Sequence, residues 1–162
     1  MPSHRPVNPN QGARRASPAD APDLARLLRD FQLEFDEPAP ALADLERRYA
    51  DQIRDGDVTV LLIGDGPDGF AQLRFRPWLY SDGLHSYLEE LYVVPPRRGQ
   101  GLGRALLEAA IEVAREAGAD QMELGTSETD VAARSLYESF GFTNREGSPD
   151  GPVMLFYERG LT

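Results

Sequence analysis

One segment, residues 88–104, constrains the fold of this chain more than any other. A β-rich stretch (88–94) ends at two prolines, three glycines follow at alternate positions, and an amphipathic helix begins at once. Proline cannot continue a strand ladder, and glycine lets the backbone come close to a ligand. The exposed N–H groups and the dipole at a helix start attract anions. The sequence therefore predicts a pyrophosphate-binding loop, here called the glycine loop (residues 98–104), between a strand and a helix.

Two common phosphate-binding patterns are excluded by the residues of this loop. A P-loop needs Gly-Lys followed by Ser or Thr, and this chain has no lysine, since all 17 of its basic residues are arginine. A dinucleotide fingerprint needs Gly-x-Gly-x-x-Gly, but counting from Gly99 or Gly101 puts Arg104 or Leu106 at the last position. The pattern that does fit is Arg98-x-x-Gly101-x-Gly103.

Length and composition set the outer limits of the prediction. The 162 residues suit one domain over residues 13–162 after a mobile tail at 1–12. A net charge of −10 argues against a nucleic-acid partner. The absence of cysteine excludes disulfides and an acyl-cysteine intermediate. Apolar runs such as 60–63 are too short to span a bilayer, and no signal peptide is evident, so we expect a cytoplasmic protein without a membrane partner.

Hydrophobic periodicity and turn residues predict a mixed α/β fold. Helices are predicted over residues 24–31, 42–53 and 130–140, with a long helix from the glycine loop through residue 117, and β-rich segments lie between them. The last two strands are predicted as a closing hairpin formed by Phe142 and residues 153–158. We therefore expect a single twisted, mostly antiparallel sheet of six to seven strands, flanked by about four helices.

Three motifs resemble those of the GNAT superfamily of N-acyltransferases, over roughly residues 12–159. The pattern Arg98-x-x-Gly101-x-Gly103 resembles its coenzyme-A signature, and residues 88–93 resemble its fourth strand. Residues 133–142 resemble its second motif, with the acyl-transfer tyrosine at Tyr137. The chain departs from the family at Asp130, where asparagine is frequent, so we do not assign a coenzyme contact there.

The resemblance implies a GNAT-like fold and acetyl-CoA as co-substrate, with no metal. The scattered acidic residues likewise suggest no metal site. The implied coenzyme contacts come from the end of the fourth strand, through its backbone, and from the glycine loop: Leu91, Tyr92, Val93, Arg98, Gly99, Gln100, Gly101, Leu102, Gly103 and Arg104.

The chemistry then expected is direct transfer of the acetyl group to a primary amine in a ternary complex. An alkyl amine has a pKa near ~10 and arrives protonated, so a base must deprotonate it. Glu89 and Glu90 are the candidate carboxylates. Adjacent strand residues face opposite sides, so one of them should face the substrate. The resemblance favours Glu89, because comparable acids in amine-acetylating relatives lie at that place, and a single β-bulge would reverse the choice. The resemblance assigns to Tyr137 the protonation of the departing thiolate.

Other residues and other functions remain open in the sequence alone. His85 is a second candidate base, although a lone histidine is more often a surface or capping residue. Trp78, Leu79, Tyr80 and Asp82 could line an amine pocket, and Asp36 and Glu37 could belong to a substrate loop. The acceptor is a small-molecule amine or a peptide or protein amine, and a homodimer stays open. A non-catalytic sensor of acyl-CoA, or a partner-binding module, is the alternative function.

Overall fold

The computed structural model describes residues 12–162, so most of the tail predicted at 1–12 lies outside the described residues. The described residues form two compact units, which divide between Leu124 and Gly125. The strands are β1 (Arg14–Arg15), β2 (Thr59–Ile63), β3 (Gly69–Pro77), β4 (Leu84–Val93) and β5 (Ala119–Leu124). The α-helices are α1 (Ala21–Glu34), α2 (Leu42–Asp55), α3 (Leu102–Glu116) and α4 (Val131–Ser139).

All five strands belong to one sheet in the first unit, in the order β1-β2-β3-β4-β5. Each neighbouring pair is antiparallel except β4 and β5, which are parallel and are connected through α3. This arrangement confirms the predicted mixed α/β class, the mostly antiparallel sheet and the four helices. The single-domain organisation of residues 13–162 stays a prediction.

Helices cover the two faces of the sheet unequally. Alternate strand residues such as Val60, Leu62, Phe70 and Tyr92 form a buried cluster with α1 and α2, and we call this side of the sheet the α1/α2 face. The opposite face packs on α3: a side chain at Gly69 would come within 3.3 Å of the Leu106 side chain. On the α1/α2 face, the two helices pack mainly over the strands near β2, and charged side chains lie on the part of this face nearer to β5.

The predicted count of six to seven strands is wrong, because the described residues form five. In the second unit, the predicted closing hairpin is reduced to one isolated bridge between Arg145 and Val153. The intervening residues fold into a tight turn, in which Gly151 N–H donates to Ser148 O at 2.9 Å. The apolar segment that follows is exposed, with Phe156 at 73%. A β-rich composition predicts strand propensity, but a strand also needs a ladder partner.

Candidate active site

The glycine loop lies between β4 and α3, as the sequence predicts. A short 3₁₀ turn (Pro95–Arg97) follows the strand, and Gly101 forms the N-cap of α3. Gly99 and Gly101 have φ values of 74° and 85°, a region that strongly favours glycine. A Cβ atom built at either position meets no heavy atom within 4 Å. The loop backbone therefore faces open space at a helix start, which fits the diphosphate of a coenzyme.

The C-terminal part of β4 offers a second stretch of accessible backbone. Its pairing with β5 ends at Leu88 and Leu124, so residues 89–93 have no strand partner on that edge within the described sheet. Leu91, Tyr92 and Val93 belong to this stretch, and the Tyr92 side chain is buried. The backbone groups of this stretch could pair with an extended ligand arm, and the predicted contact with pantetheine stays a prediction.

Arg98 has a different environment from the one expected of a phosphate-binding cation. Its guanidinium donates two hydrogen bonds of 2.7 Å to the Glu34 carboxylate of α1, and its Nε donates to Val93 O at 2.9 Å. It also lies 5.6 Å from the centroid of the Tyr92 ring. The pair lowers the pKa of Glu34 because Arg98 hydrogen bonds to the ionised carboxylate. Arg98 therefore holds the loop against β4 and α1.

The remaining loop residues separate into exposed and buried groups. Gln100 and Arg104 are exposed at the loop and the first turn of α3, whereas the Leu102 side chain is only 3% exposed and can offer no more than its backbone. Sequence reasoning missed Arg97, which donates to Asp68 Oδ2 at 2.9 Å and to Gln100 Oε1 at 3.1 Å. Arg97 thereby ties the loop to the β2–β3 turn, a contact between residues 29 positions apart that no local signal announces.

A β-bulge in β4 decides where the two glutamates lie. Gln72 of β3 pairs with Glu90, but the next residue, Leu73, pairs with Leu88, so Glu89 is the extra residue. Glu90 shares the α1/α2 face with Gln72, whose Oε1 accepts a 2.8 Å hydrogen bond from the buried Tyr49 hydroxyl. Glu89 contacts Arg74, which belongs to the same face. The bulge thus brings both carboxylates to one side of the sheet, where strict alternation would separate them.

The two carboxylates have unequal surroundings. Burial, followed by the negative charge of Glu89, raises the pKa of Glu90 to about 7. The Glu89 carboxylate instead forms an ion pair with the Arg74 guanidinium. Arg74 also donates to Gln52 Oε1 at 2.7 Å and to Asp57 O at 3.1 Å, so α2 holds it in place. Glu90 is therefore the carboxylate that can exchange a proton near neutral pH.

His85 also belongs to this face and is almost completely buried. It is 2% exposed, its Nε2 lies 3.0 Å from Glu123 Oε2, and the Trp78 ring packs at 5.3 Å between centroids. The Trp78 Nε1–H donates to Ser81 Oγ at 2.8 Å. The surface and capping roles typical of a lone histidine do not describe this residue, because the β3–β4 loop and β5 enclose it.

The other predicted pocket residues do not gather around the glutamates. Leu79 and Tyr80 are 100% and 88% exposed. Asp36 and Glu37 are also exposed, after the end of α1. Of this predicted set, only Trp78 packs against a residue of the candidate site.

Tyr137 belongs to the second unit, on α4. Asp130 caps this helix by accepting a 3.1 Å hydrogen bond from Ala133 N–H, which explains why a carboxylate suits this position. The Tyr137 ring lies edge-on to Phe142 at 6.0 Å between centroids and is partly exposed. The predicted second motif therefore exists as a capped helix that presents a half-buried tyrosine.

Membrane-spanning helices and metal-ligating clusters are both absent from the described residues. Within them, no helix combines the length and the apolar character needed to cross a membrane. Nor do residues 12–162 contain a group of three or more potential metal-ligating side chains.

With this geometry established, comparison with known proteins defines the class. The model of the Acetyltransferase (GNAT) family matches residues 23–142, and the chain belongs to this family. It is an acyltransferase enzyme of a family that uses acetyl-CoA as co-substrate.

Individual relatives are enzymes with differing acceptors. Aminoglycoside N(6')-acetyltransferase type 1 of Stenotrophomonas maltophilia is 35% identical over 138 residues, covering 82% of this chain and 86% of that protein. Aminoalkylphosphonate N-acetyltransferase of Salmonella typhimurium is 33% identical over 120 residues, covering 74% and 72%. A crystal structure from Arthrobacter sp. FB24, provisionally assigned as an acetyltransferase, is 41% identical, covers 99% of both chains and has a TM-score of 0.85.

Proposed function

We propose that this protein transfers the acetyl group of acetyl-CoA directly to the primary amine of a small molecule, in a complex that holds both substrates. One observation carries the proposal. Next to its bulge, β4 bears Glu90, whose pKa is about 7; the strand ends three residues later, and a short turn connects it to the glycine loop, whose backbone faces open space. A base and a coenzyme-binding loop on one strand are what acyl transfer to an amine requires.

We assign the base role to Glu90 rather than to Glu89, which the sequence favours. Arg74 already neutralises the charge of Glu89, whereas Glu90 has a pKa close to the pH of use, the condition for efficient proton transfer. The Glu90 carboxylate accepts the proton of the incoming ammonium group. The freed amine nitrogen then bonds to the acetyl carbonyl carbon and releases its second proton to solvent, and the carbon–sulfur bond breaks as the thiolate leaves.

Two other groups complete the proposed chemistry. Accessible N–H groups along residues 89–93 would stabilise the negative charge that develops on the carbonyl oxygen. Tyr137 would give its proton to the departing thiolate. The location is proposed to be cytoplasmic, and the acceptor to be small, as the names of both reported relatives indicate for those enzymes.

Release of free thiol from acetyl-CoA, measured with a panel of small amines and confirmed by the mass of the acetylated product, tests the function. A protein that binds acetyl-CoA but releases no thiol with any amine or peptide amine would instead be the sensor that the sequence leaves open.

The pH dependence of kcat/KM tests the base. Wild type should lose activity below about pH 7, as Glu90 becomes protonated. Glu90→Gln should be slower and should lack this limb. Glu89→Gln should keep the limb but move it to lower pH, because the neighbouring negative charge that raises the Glu90 pKa is removed. Loss of the limb in Glu89→Gln alone would transfer the base role to Glu89.

A further inference from the structure

The candidate site contains a cavity whose charges are not accounted for by acetyl transfer itself. It measures about 400 Å³ and belongs to the first unit. This volume falls in the range of small-molecule pockets. Its lining residues come from β3, β4 and β5: Arg74, Phe75, Arg76, His85, Tyr87, Glu89 and Glu123.

All but one of the charged side chains in this cavity already have a partner. Glu89 forms an ion pair with Arg74, which α2 also holds, and Glu123 lies 3.0 Å from His85. Arg76 makes no ion pair and no side-chain hydrogen bond to any residue in the range 12–162. A cation that lines a pocket without a protein partner is suited to an anionic group of the ligand.

Glu90 is not among the residues that line the cavity, although its neighbour Glu89 is, and the strand register separates Arg76 from this base. Arg76 pairs with His85, whereas Gln72 pairs with Glu90. Arg76 lies four positions after Gln72 on β3, which corresponds to roughly 13 Å along the strand. The arginine side chain can extend over part of this distance, so a ligand with several bonds between its amine and its anion fits better than a short one.

We propose that the acceptor is an amine that carries an anionic group, a carboxylate or a phosphonate, several bonds from the reacting nitrogen, and that Arg76 determines this specificity. The inference rests on the proposed function and specifies its acceptor. It favours the substrate type named for the aminoalkylphosphonate enzyme over the one named for the aminoglycoside enzyme. A polycation would place a second positive charge beside Arg76, which is unfavourable.

The experiment compares acceptors that share an amine and differ only in the acid. Thiol release is measured with 6-aminohexanoate and with hexylamine; glycine tests the spacing, 3-aminopropylphosphonate tests the second anion, and kanamycin tests a polycation. Wild type should prefer 6-aminohexanoate to hexylamine by roughly tenfold in kcat/KM, the lower end of the range for a hydrogen bond to a charged group at an exposed position. The preference should decrease with added salt.

Two variants locate the effect. Arg76→Gln should bring the ratio of the two kcat/KM values close to one, and Arg76→Lys should retain part of the preference. The matched control is Arg115→Gln, which removes the same charge from an exposed position near the end of α3 and should leave the ratio unchanged. Two results would overturn the inference. One is a wild-type kcat/KM for hexylamine or kanamycin equal to that for 6-aminohexanoate. The other is an Arg76→Gln variant that keeps the wild-type ratio of kcat/KM values.

Equilibrium binding separates this inference from the proposed function. Calorimetry of 6-aminohexanoate and hexylamine on the protein saturated with coenzyme A measures the anion preference without turnover. Preferential binding without acetylation would overturn the transfer reaction and support the pocket. Acetylation of many amines without preference would support the reaction and overturn the pocket assignment.

Discussion

The glycine loop and the group of side chains around Glu89 and Glu90, here called the carboxylate cluster, use different parts of the polypeptide. The loop is made of backbone, with Gly99 and Gly101 in conformations that open it to a ligand. The cluster is made of side chains from several elements, among them Arg74 of β3, Glu90 of β4 and Tyr49 of α2. The backbone conformation of the loop therefore depends on short-range sequence, whereas the side-chain contacts of the cluster depend on long-range packing. Variants in the loop and in the cluster test this difference.

The largest effect is expected at Gly101. Gly101→Val should abolish binding of acetyl-CoA, because a branched side chain at φ 85° would occupy the space in front of the loop backbone. Gly118→Val is the matched control: Gly118 has a φ of 84° and open surroundings, but it follows the other end of α3. Calorimetry with acetyl-CoA on both variants, after thermal unfolding has shown that they are folded, isolates ligand approach from backbone strain. Equal affinities in the two variants would contradict a backbone-built coenzyme site.

The next effect concerns the second unit. Tyr137→Phe should reduce kcat by ~10²–10⁴-fold and leave acetyl-CoA affinity nearly unchanged, because only the hydroxyl that donates the proton is removed. Tyr157→Phe, at a residue of the same unit that is 83% exposed, should retain full turnover. Wild-type kcat in Tyr137→Phe would remove the tyrosine from the mechanism and would confine the chemistry to the side chains of β4.

Arg98 should give an intermediate effect, since it belongs to the glycine loop but is held by a side chain of α1. Arg98→Gln should weaken acetyl-CoA binding by ~1–2 kcal/mol, through loss of loop positioning and of nearby positive charge. Glu34→Gln should tighten binding, because it removes the carboxylate that shares the guanidinium at 2.7 Å. Titration calorimetry at two salt concentrations measures both changes. If Glu34→Gln weakens binding as much as Arg98→Gln does, the ion pair acts only by holding the loop in place.

The smallest expected effect is on stability. The folded-state pKa of Glu90, about 7, lies above its ordinary value of 4.5, so the native state binds the proton more tightly and loses stability as pH rises from about 4.5 through 7. Glu90→Gln should therefore be more stable than wild type by ~1–2 kcal/mol at pH 8, a value reduced for partial solvent exposure, and the difference should vanish near pH 4. Urea unfolding at both pH values measures it. Glu108→Gln, at an exposed position of α3, should show no such pH dependence.

Local chemistry explains what could be predicted. The end of α2 follows from Gly56, which adopts a φ of 77°, and the start of α3 follows from the glycine loop. The order of helices and strands could be predicted for the same reason, since proline and glycine act on the chain within a few residues. The closing hairpin could not, because residues 153–158 have strand composition but their pairing depends on a distant partner.

The amino-acid sequence alone predicts that β4 is followed by a glycine-rich loop before a helix, and that two glutamates precede this loop. Only the tertiary structure decided that both glutamates share one face, since a one-residue register shift between β3 and β4 produces the bulge at Glu89. It also decided that Arg74 pairs with Glu89, that Arg98 pairs with Glu34, and that Arg76 lines a cavity with no ion-pair or hydrogen-bond partner among residues 12–162. Backbone conformation follows from neighbouring residues, whereas strand register and ion pairing join residues distant in the chain, and that is why the loop before α3 could be predicted and the ion pairs around the glutamates could not.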